Sequence, residues 1–208
     1  MPRASGQIDR VKSEAILDAA SHVLDERGLG ASIEAIARRA AVSKQTIYNH
    51  FGCKTALIEA LVARRVSNLT APIRLADEAE QPMGTLTALA QTLISIVSNV
   101  RAYALIRVTV QGAGAMPDLA KAVYEAGPMT TRALIADFLA AETQAGRLDI
   151  DDPLEAAEIF SGMCSGYRQM RALLGLTVSA DPDEITRLAQ TVAKRFFRAY
   201  APEASRTT

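Results

Sequence analysis

Residues 32–52 read SIEAIARRAAVSKQTIYNHFG, and this stretch leaves few ways to fold. Ser32 and Ser43 each precede a run of helix formers, and a serine hydroxyl there accepts a backbone N–H that a first helical turn leaves unpaired. Ile33, Ile36, Ala37 and Ala40 fall on one face of the first segment, with Glu34 in its first turn, where the helix dipole favours an acid. Ala41-Val42 is too short a connection to let the next segment bury its apolar residues separately. The two helices must therefore cross, with the small Ala37 allowing close approach and the β-branched Ile47 filling the crossing, in a helix-turn-helix. Ala41 stands at the turn position where Gly is often found, and Gly52 ends the second helix.

The rest of the chain reads as more helix. Ile16, Leu17, Ala20, Val23 and Leu24 recur at helical spacing in a first helix that begins near Asp9 and stops at Gly28. A long helix starts at Cys53 or Lys54 and ends or bends at Pro72. Breakers at Pro82, Gly112 to Pro117, Gly127-Pro128, Gly146, Pro153, Gly175 and Pro182 divide the remainder into helices over 83–99, 101–112, 118–126, 128–145, 153–174 and 182–200. Asp152 and Asp181 each precede a proline and stand three residues before an acid, which makes both N-caps. The expected fold is all-α, with about nine to ten helices. Residues 1–52 form an N-terminal arm and a three-helix helix-turn-helix domain, and residues 53–208 form a C-terminal helical domain.

Composition narrows the class further. Aromatics are only 5% of the chain and Trp is absent, which favours helix over sheet. The uncharged run 81–100 contains Pro, Gly, Gln, Asn and several hydroxyl residues, so it reads as a buried helix and not a membrane span. Residues 1–10 lack the apolar core of a signal peptide. Cys53 and Cys164 lie far apart, which fits reduced thiols in a cytoplasm. Net charge is zero, but ten Lys or Arg face seven Asp or Glu in residues 1–65, whereas thirteen face sixteen beyond. The basic excess thus lies with the helix-turn-helix.

The second helix of that motif points to DNA. Ile47 and Phe51 turn inward with His50 beside them, leaving Gln45, Tyr48 and Asn49 together on the opposite face and Lys44 and Thr46 flanking them. Gln and Asn can pair with adenine, Lys can reach guanine or a phosphate, and the Tyr and Thr hydroxyls suit phosphate oxygens or the thymine edge. Lys54 adds a full charge to free N–H groups at a helix start, a phosphate-binding arrangement. The expected DNA-binding set is Ser32, Ser43, Lys44, Gln45, Thr46, Tyr48, Asn49, His50 and Lys54. Arg3, Arg10 and Lys12 could follow the backbone as an arm or simply be solvated. Cys53 replaces the usual capping Ser or Asn and should hold its helix start less tightly.

These residues resemble the TetR/AcrR family of one-component transcriptional regulators, most strongly over residues 16–61, ILDAASHVLDERGLGASIEAIARRAAVSKQTIYNHFGCKTALIEAL. VYEAGP, AGRLDIDDPLEAAEIFSGM and LLG are similar to the C-terminal domain of the AefR-like branch. The resemblance implies an all-α homodimer that binds a palindromic double-stranded operator and is released or retuned by a small ligand in the C-terminal domain. Gln111 and the glycine-rich run after it stand where an acid and an aromatic are expected, so the effector's identity does not carry over. A mostly apolar ligand pocket is expected from Leu93, Val97, Phe138, Met163 and Met170, with Tyr103, Arg107, Gln111 and Tyr167 as polar anchors. Each of these also suits an ordinary core, and Arg107 could meet a ligand acid or an internal salt bridge. The helices near 153–174 and 182–200 carry enough apolar surface to serve both their own core and a twin's.

Other chemistries fit poorly. Gly162-Met-Cys164-Ser-Gly166 matches a cysteine version of a nucleophile elbow, but that motif needs a strand leading in and AAEIF is helical. His22 and His50, the only histidines, both lie in the N-terminal half, so no catalytic dyad forms. Metal spacings and a phosphate loop are missing, and neither metal nor cofactor is expected. The reading is a cytoplasmic, ligand-responsive DNA-binding regulator, a repressor and not an enzyme. Its recognition helices would sit about 34–36 Å apart to match successive major grooves. The alternative is a helical ligand-binding or interaction protein whose helix-turn-helix is only scaffold.

Overall fold

A computed structural model describes residues 5–76, 82–99 and 103–202, with the side chains of 5–9 and 29 left aside. Among the described residues it is all-helical: eleven α-helices, one of them a single turn, with a 3-10 turn and a π turn and no strand. In chain order these are α1 (Ser5–Arg27), a 3-10 turn (Gly28–Gly30), α2 (Ile33–Arg39), α3 (Lys44–Phe51), α4 (Lys54–Leu69) and the single turn α5 (Ala71–Arg74). After them come α6 (Pro82–Ser98), α7 (Ala104–Gly112), α8 (Pro117–Tyr124), a π turn (Glu125–Met129), α9 (Thr130–Gln144), α10 (Pro153–Leu173) and α11 (Pro182–Tyr200). The chain divides into two compact units, residues 1–65 with 104–127, and residues 66–103 with 128–208.

In the first unit, Ile16, Ala20 and Leu24 of α1, Ile36 of α2, Ile47 of α3, and Leu57, Ile58 and Leu61 of α4 are all buried to within 1%. The serine caps explain where the short helices start: Ser32 Oγ accepts the Ala35 N–H at 3.2 Å and Ser43 Oγ accepts the Thr46 N–H at 3.0 Å. Ala41, between them, has φ 53°, a left-handed conformation that costs a non-glycine residue about 1 kcal/mol. Buried Ile36 and Ile47 stabilise the crossing by more than that. Charged clamps fix α4 against α1: Arg64 lies 2.8 Å from both Glu14 and Asp18, and Arg65 donates to Ser21 at 2.9 Å. Helix α7 packs on the 3-10 turn and α8 packs on α7.

The second unit is a bundle in which α6 lies against α10 and α11, and α9 against α10. Its core joins Leu86, Leu89 and Ile94 of α6, Ile135 and Leu139 of α9, Phe160 of α10 and Phe196 of α11. The Phe160 and Phe196 rings meet edge to face at 5.1 Å between centroids, and Tyr200 tilts onto Phe196 at 4.7 Å. Both predicted aspartate caps are present, Asp152 accepting from the N–H groups of Leu154 and Glu155, and Asp181 from that of Asp183.

Some local expectations change. Helix α1 starts at Ser5 and not near Asp9, because the polar first turn carries too little apolar pattern to be recognised. Helix α4 ends at Leu69, before Pro72, where the Thr70 hydroxyl donates back to the Val66 carbonyl at 2.9 Å. Gly127-Pro128 does not break the helical run but sits inside the π turn, whose wider i→i+5 pattern relieves the clash between a proline ring and the carbonyl four residues before it. In α10, Gly166 adopts φ 45° and ψ −144° and kinks the helix. The apolar series therefore splits: Ala157, Phe160 and Cys164 are buried, whereas Tyr167, Met170 and Leu174 beyond the kink are exposed and Ala172 turns inward.

Candidate nucleic-acid interface

Helix α3 presents its polar residues because Ile47, 1% exposed, pins the other side to the core of the first unit. Ser43, Lys44, Gln45, Tyr48 and Asn49 are exposed, and Thr46 and His50 half-buried. Two turns of helix thus expose a compact set of donors and acceptors with almost no aliphatic surface, as base-edge and phosphate contacts require.

These groups are also engaged with one another and with neighbouring helices. Gln45 Nε2 donates to Asn49 Oδ1 at 2.8 Å, an i, i+4 pair that holds both amides in one orientation. The Ser43 and Thr46 hydroxyls lie 2.8 Å apart. Lys44 Nζ reaches Glu34 Oε1 on α2 at 2.7 Å. Hydrogen bonding to Lys44, then to its own backbone N–H and to Ser32, pulls the Glu34 carboxyl down to about 2, and the same partner raises the Lys44 ammonium. His50 Nδ1 lies 3.1 Å from Ser13 Oγ of α1, and its ring is 6.2 Å from that of Phe51, so one ring nitrogen is engaged within the unit.

At the start of α4, Cys53 is exposed and its sulfur accepts the Ala56 N–H at 3.5 Å. The position is therefore capped, but by a weak acceptor, and Cys53→Ser should raise stability by about 0.5–1 kcal/mol. An unchanged urea midpoint for that variant would show that the sulfur caps as well as a hydroxyl. Lys54 is half-buried at the next position, and burial lowers its pKa. Ser32 is exposed at the start of α2. Arg10 and Lys12 lie exposed on α1, and Arg3 falls outside the described residues.

Sequence reasoning did not foresee that Glu34 pairs with Lys44, or that Ser13, Arg64 and Arg65 brace α3 and α4 on α1. The available signal was that Glu34 and Lys44 occupy the first turns of two helices that must cross. A two-helix pattern does not say which surface groups meet.

The expected ligand residues fall into different places. Phe138 belongs to the buried core of the second unit, with Leu93 and Met163 packed against it. Val97 and Tyr103 are also buried in this unit, and burial raises the Tyr103 phenol, which hydrogen-bonds to Gln169. Tyr167 and Met170 lie on the surface, Tyr167 at 89% exposed. Arg107 and Gln111, on α7, belong to the first unit, half-buried and exposed respectively.

Cys164 is buried, and desolvation pushes its thiol up to about 12, the reverse of what an activated nucleophile needs. The described residues contain no group of three or more His, Cys, Asp and Glu suited to a metal. No helix among them is long and apolar enough to cross a membrane.

Comparison with known proteins accounts for both halves of the chain. Residues 16–61 match the model of bacterial regulatory proteins of the tetR family, and residues 84–202 match that of the AefR-like transcriptional repressor C-terminal domain. An uncharacterised helix-turn-helix transcriptional regulator, YvkB, of Bacillus subtilis is 27% identical over 180 residues, 84% of this chain and 90% of its own. The crystal structure of a candidate TetR-family regulator from Mesorhizobium loti is similar at 28% identity and TM-score 0.78, covering 93% of this chain and 98% of that one. The flavonoid-responsive regulator FrrA is similar at 28% identity and TM-score 0.69, with 92% and 98% covered. These relatives are regulators and not enzymes. With a polar recognition helix on a two-serine-capped helix-turn-helix, and family models matching both ends, the chain belongs to the TetR family of DNA-binding transcriptional regulators, with an AefR-like C-terminal domain.

Proposed function

We propose that this regulator is a cytoplasmic homodimeric repressor that reads a palindromic duplex with α3 and releases it when a small molecule binds the C-terminal domain. The observation that carries the reading is the exposed Gln45, Tyr48 and Asn49 row, held outward by buried Ile47. Residues 1–52 read the DNA, with Ser32, Ser43, Lys44, Thr46 and His50 placing the helix on the backbone together with Lys54 at the start of α4, and residues 53–208 otherwise bind the ligand and the second copy. The exposed apolar residues Ile159, Tyr167 and Met170 on α10, with Leu174 just after its end, support self-association through α10 and α11. The match to a repressor C-terminal domain and the likeness to a flavonoid-responsive regulator support release by an effector. Leu93, Val97, Tyr103, Phe138 and Met163 of the second unit are the residues proposed to meet it. Such a molecule acts only by favouring one spacing of the two recognition helices over the other.

Selection of bound sequences from random duplexes by the purified protein tests the proposal. Recovery of a palindrome with half-sites one helical turn apart is expected, and enrichment of nothing would return the helix-turn-helix to the role of scaffold. Lys54→Ala should weaken binding to every duplex and reduce the log–log salt slope by about one contact. An unchanged slope would remove Lys54 from the phosphate role.

A further inference from the structure

We propose that Glu34 weakens the DNA binding of this regulator by occupying the Lys44 ammonium, so that a duplex gains Lys44 only by displacing the carboxylate. The inference rests on the reading of α3 as the DNA-contacting helix. The two groups are 2.7 Å apart, with side-chain exposures of 54% for Lys44 and 57% for Glu34, so the pair is formed but open to exchange. Its two sides are anchored unequally. The Glu34 carboxylate also interacts with its own backbone N–H and with Ser32, all within the first turn of α2, whereas Lys44 swings on a four-carbon stem. Lys44 is therefore the partner that moves. Glu34 stays ionised, since its partners hold its pKa far below neutrality.

The consequence is a cost built into binding. Every duplex that recruits Lys44 must break the same ion pair before a guanine edge or phosphate oxygen can take the ammonium. The cost is common to all such complexes, so Glu34 lowers affinity and leaves the preference among them unchanged, since specificity is a difference of affinities. Screening by salt loosens the pair in the free protein, so the effect should fade as ionic strength rises.

The experiment compares wild type, E34Q, K44Q and the double variant on two probes, a mixed-sequence duplex and the palindrome recovered by selection, at low and high salt. E34Q should bind the mixed duplex roughly threefold to fivefold more tightly at low salt, as release of one exposed ion pair allows. The palindrome should gain by a similar factor, so that its preference over the mixed duplex stays the same within about twofold, and both gains should shrink at high salt. In the K44Q background, substituting Glu34 should change affinity by less than about twofold. An equal gain in that background would mean simple repulsion between an acid and phosphate, and would overturn the exchange. So would unchanged or weaker binding by an E34Q protein whose thermal unfolding matches wild type. If no variant binds either duplex while all remain helical, the DNA reading itself fails and this inference falls with it.

Discussion

Gly28→Ala is expected to destabilise the first unit by about 2–5 kcal/mol, the sum of two independent penalties. Gly28 sits at φ +68°, a left-handed conformation that costs an L-residue about 1–2 kcal/mol. A Cβ added there would lie 2.7 Å from Val108 Cγ1, inside any tolerable contact, and Val108 belongs to α7, which packs on this turn. Overpacking of that kind adds about 1–3 kcal/mol. The two parts separate in a double-mutant cycle: Val108→Ala removes the overlap but not the backbone strain. Gly28→Ala should therefore cost about 1–3 kcal/mol less in the Val108→Ala background than alone. Hydrogen exchange at the amides of α1 and α7 gives the local stability needed. Strictly additive losses would show that α7 moves away from the turn without cost, and so carries no information to it.

Phe160→Ala should have the largest effect in the second unit, about 3–5 kcal/mol. The side chain is fully buried in the core that joins α6, α9, α10 and α11. Its edge-to-face contact with Phe196, at 5.1 Å, adds a term beyond area burial of about 0.5–1.5 kcal/mol. For a chain of this length, such a loss lowers the midpoint of thermal unfolding by roughly 10 °C. Phe196→Ala should behave similarly, and the double variant should lose less than the two single losses combined, because the ring contact would otherwise be counted twice. A fall of only 2–3 °C for Phe160→Ala, about 1 kcal/mol, would mean that the site collapses around the missing ring.

The two predictions separate what one-dimensional pattern reveals from what it hides. Phe160 and Phe196 stand at apolar helical positions, and their burial follows from spacing. Gly28 reads only as a helix stop; that its missing side chain makes room for Val108, eighty residues later, is a fact of packing. The candidate interface divides in the same way. The exposed face of α3 follows from placing Ile47 inward, but the ties from Lys44 to Glu34 and from His50 to Ser13 depend on how α3 lies against α2 and α1. Tyr167 and Met170 show the limit most clearly, since ideal helical phase carries them inward from Cys164 and the backbone at Gly166 turns them out.

The sequence by itself determined the all-helical class, the two serine caps, the two aspartate caps and the polar row of α3. Each depends on residues within one turn of each other, where hydrogen-bonding geometry and the 3.6-residue period leave little choice. Tertiary structure decided the left-handed Ala41, the π turn around Pro128, the kink at Gly166 and the pairing of Glu34 with Lys44. The backbone departures are locally unfavourable or neutral and persist only because burial elsewhere outweighs them, and the ion pair exists only once α2 and α3 have crossed.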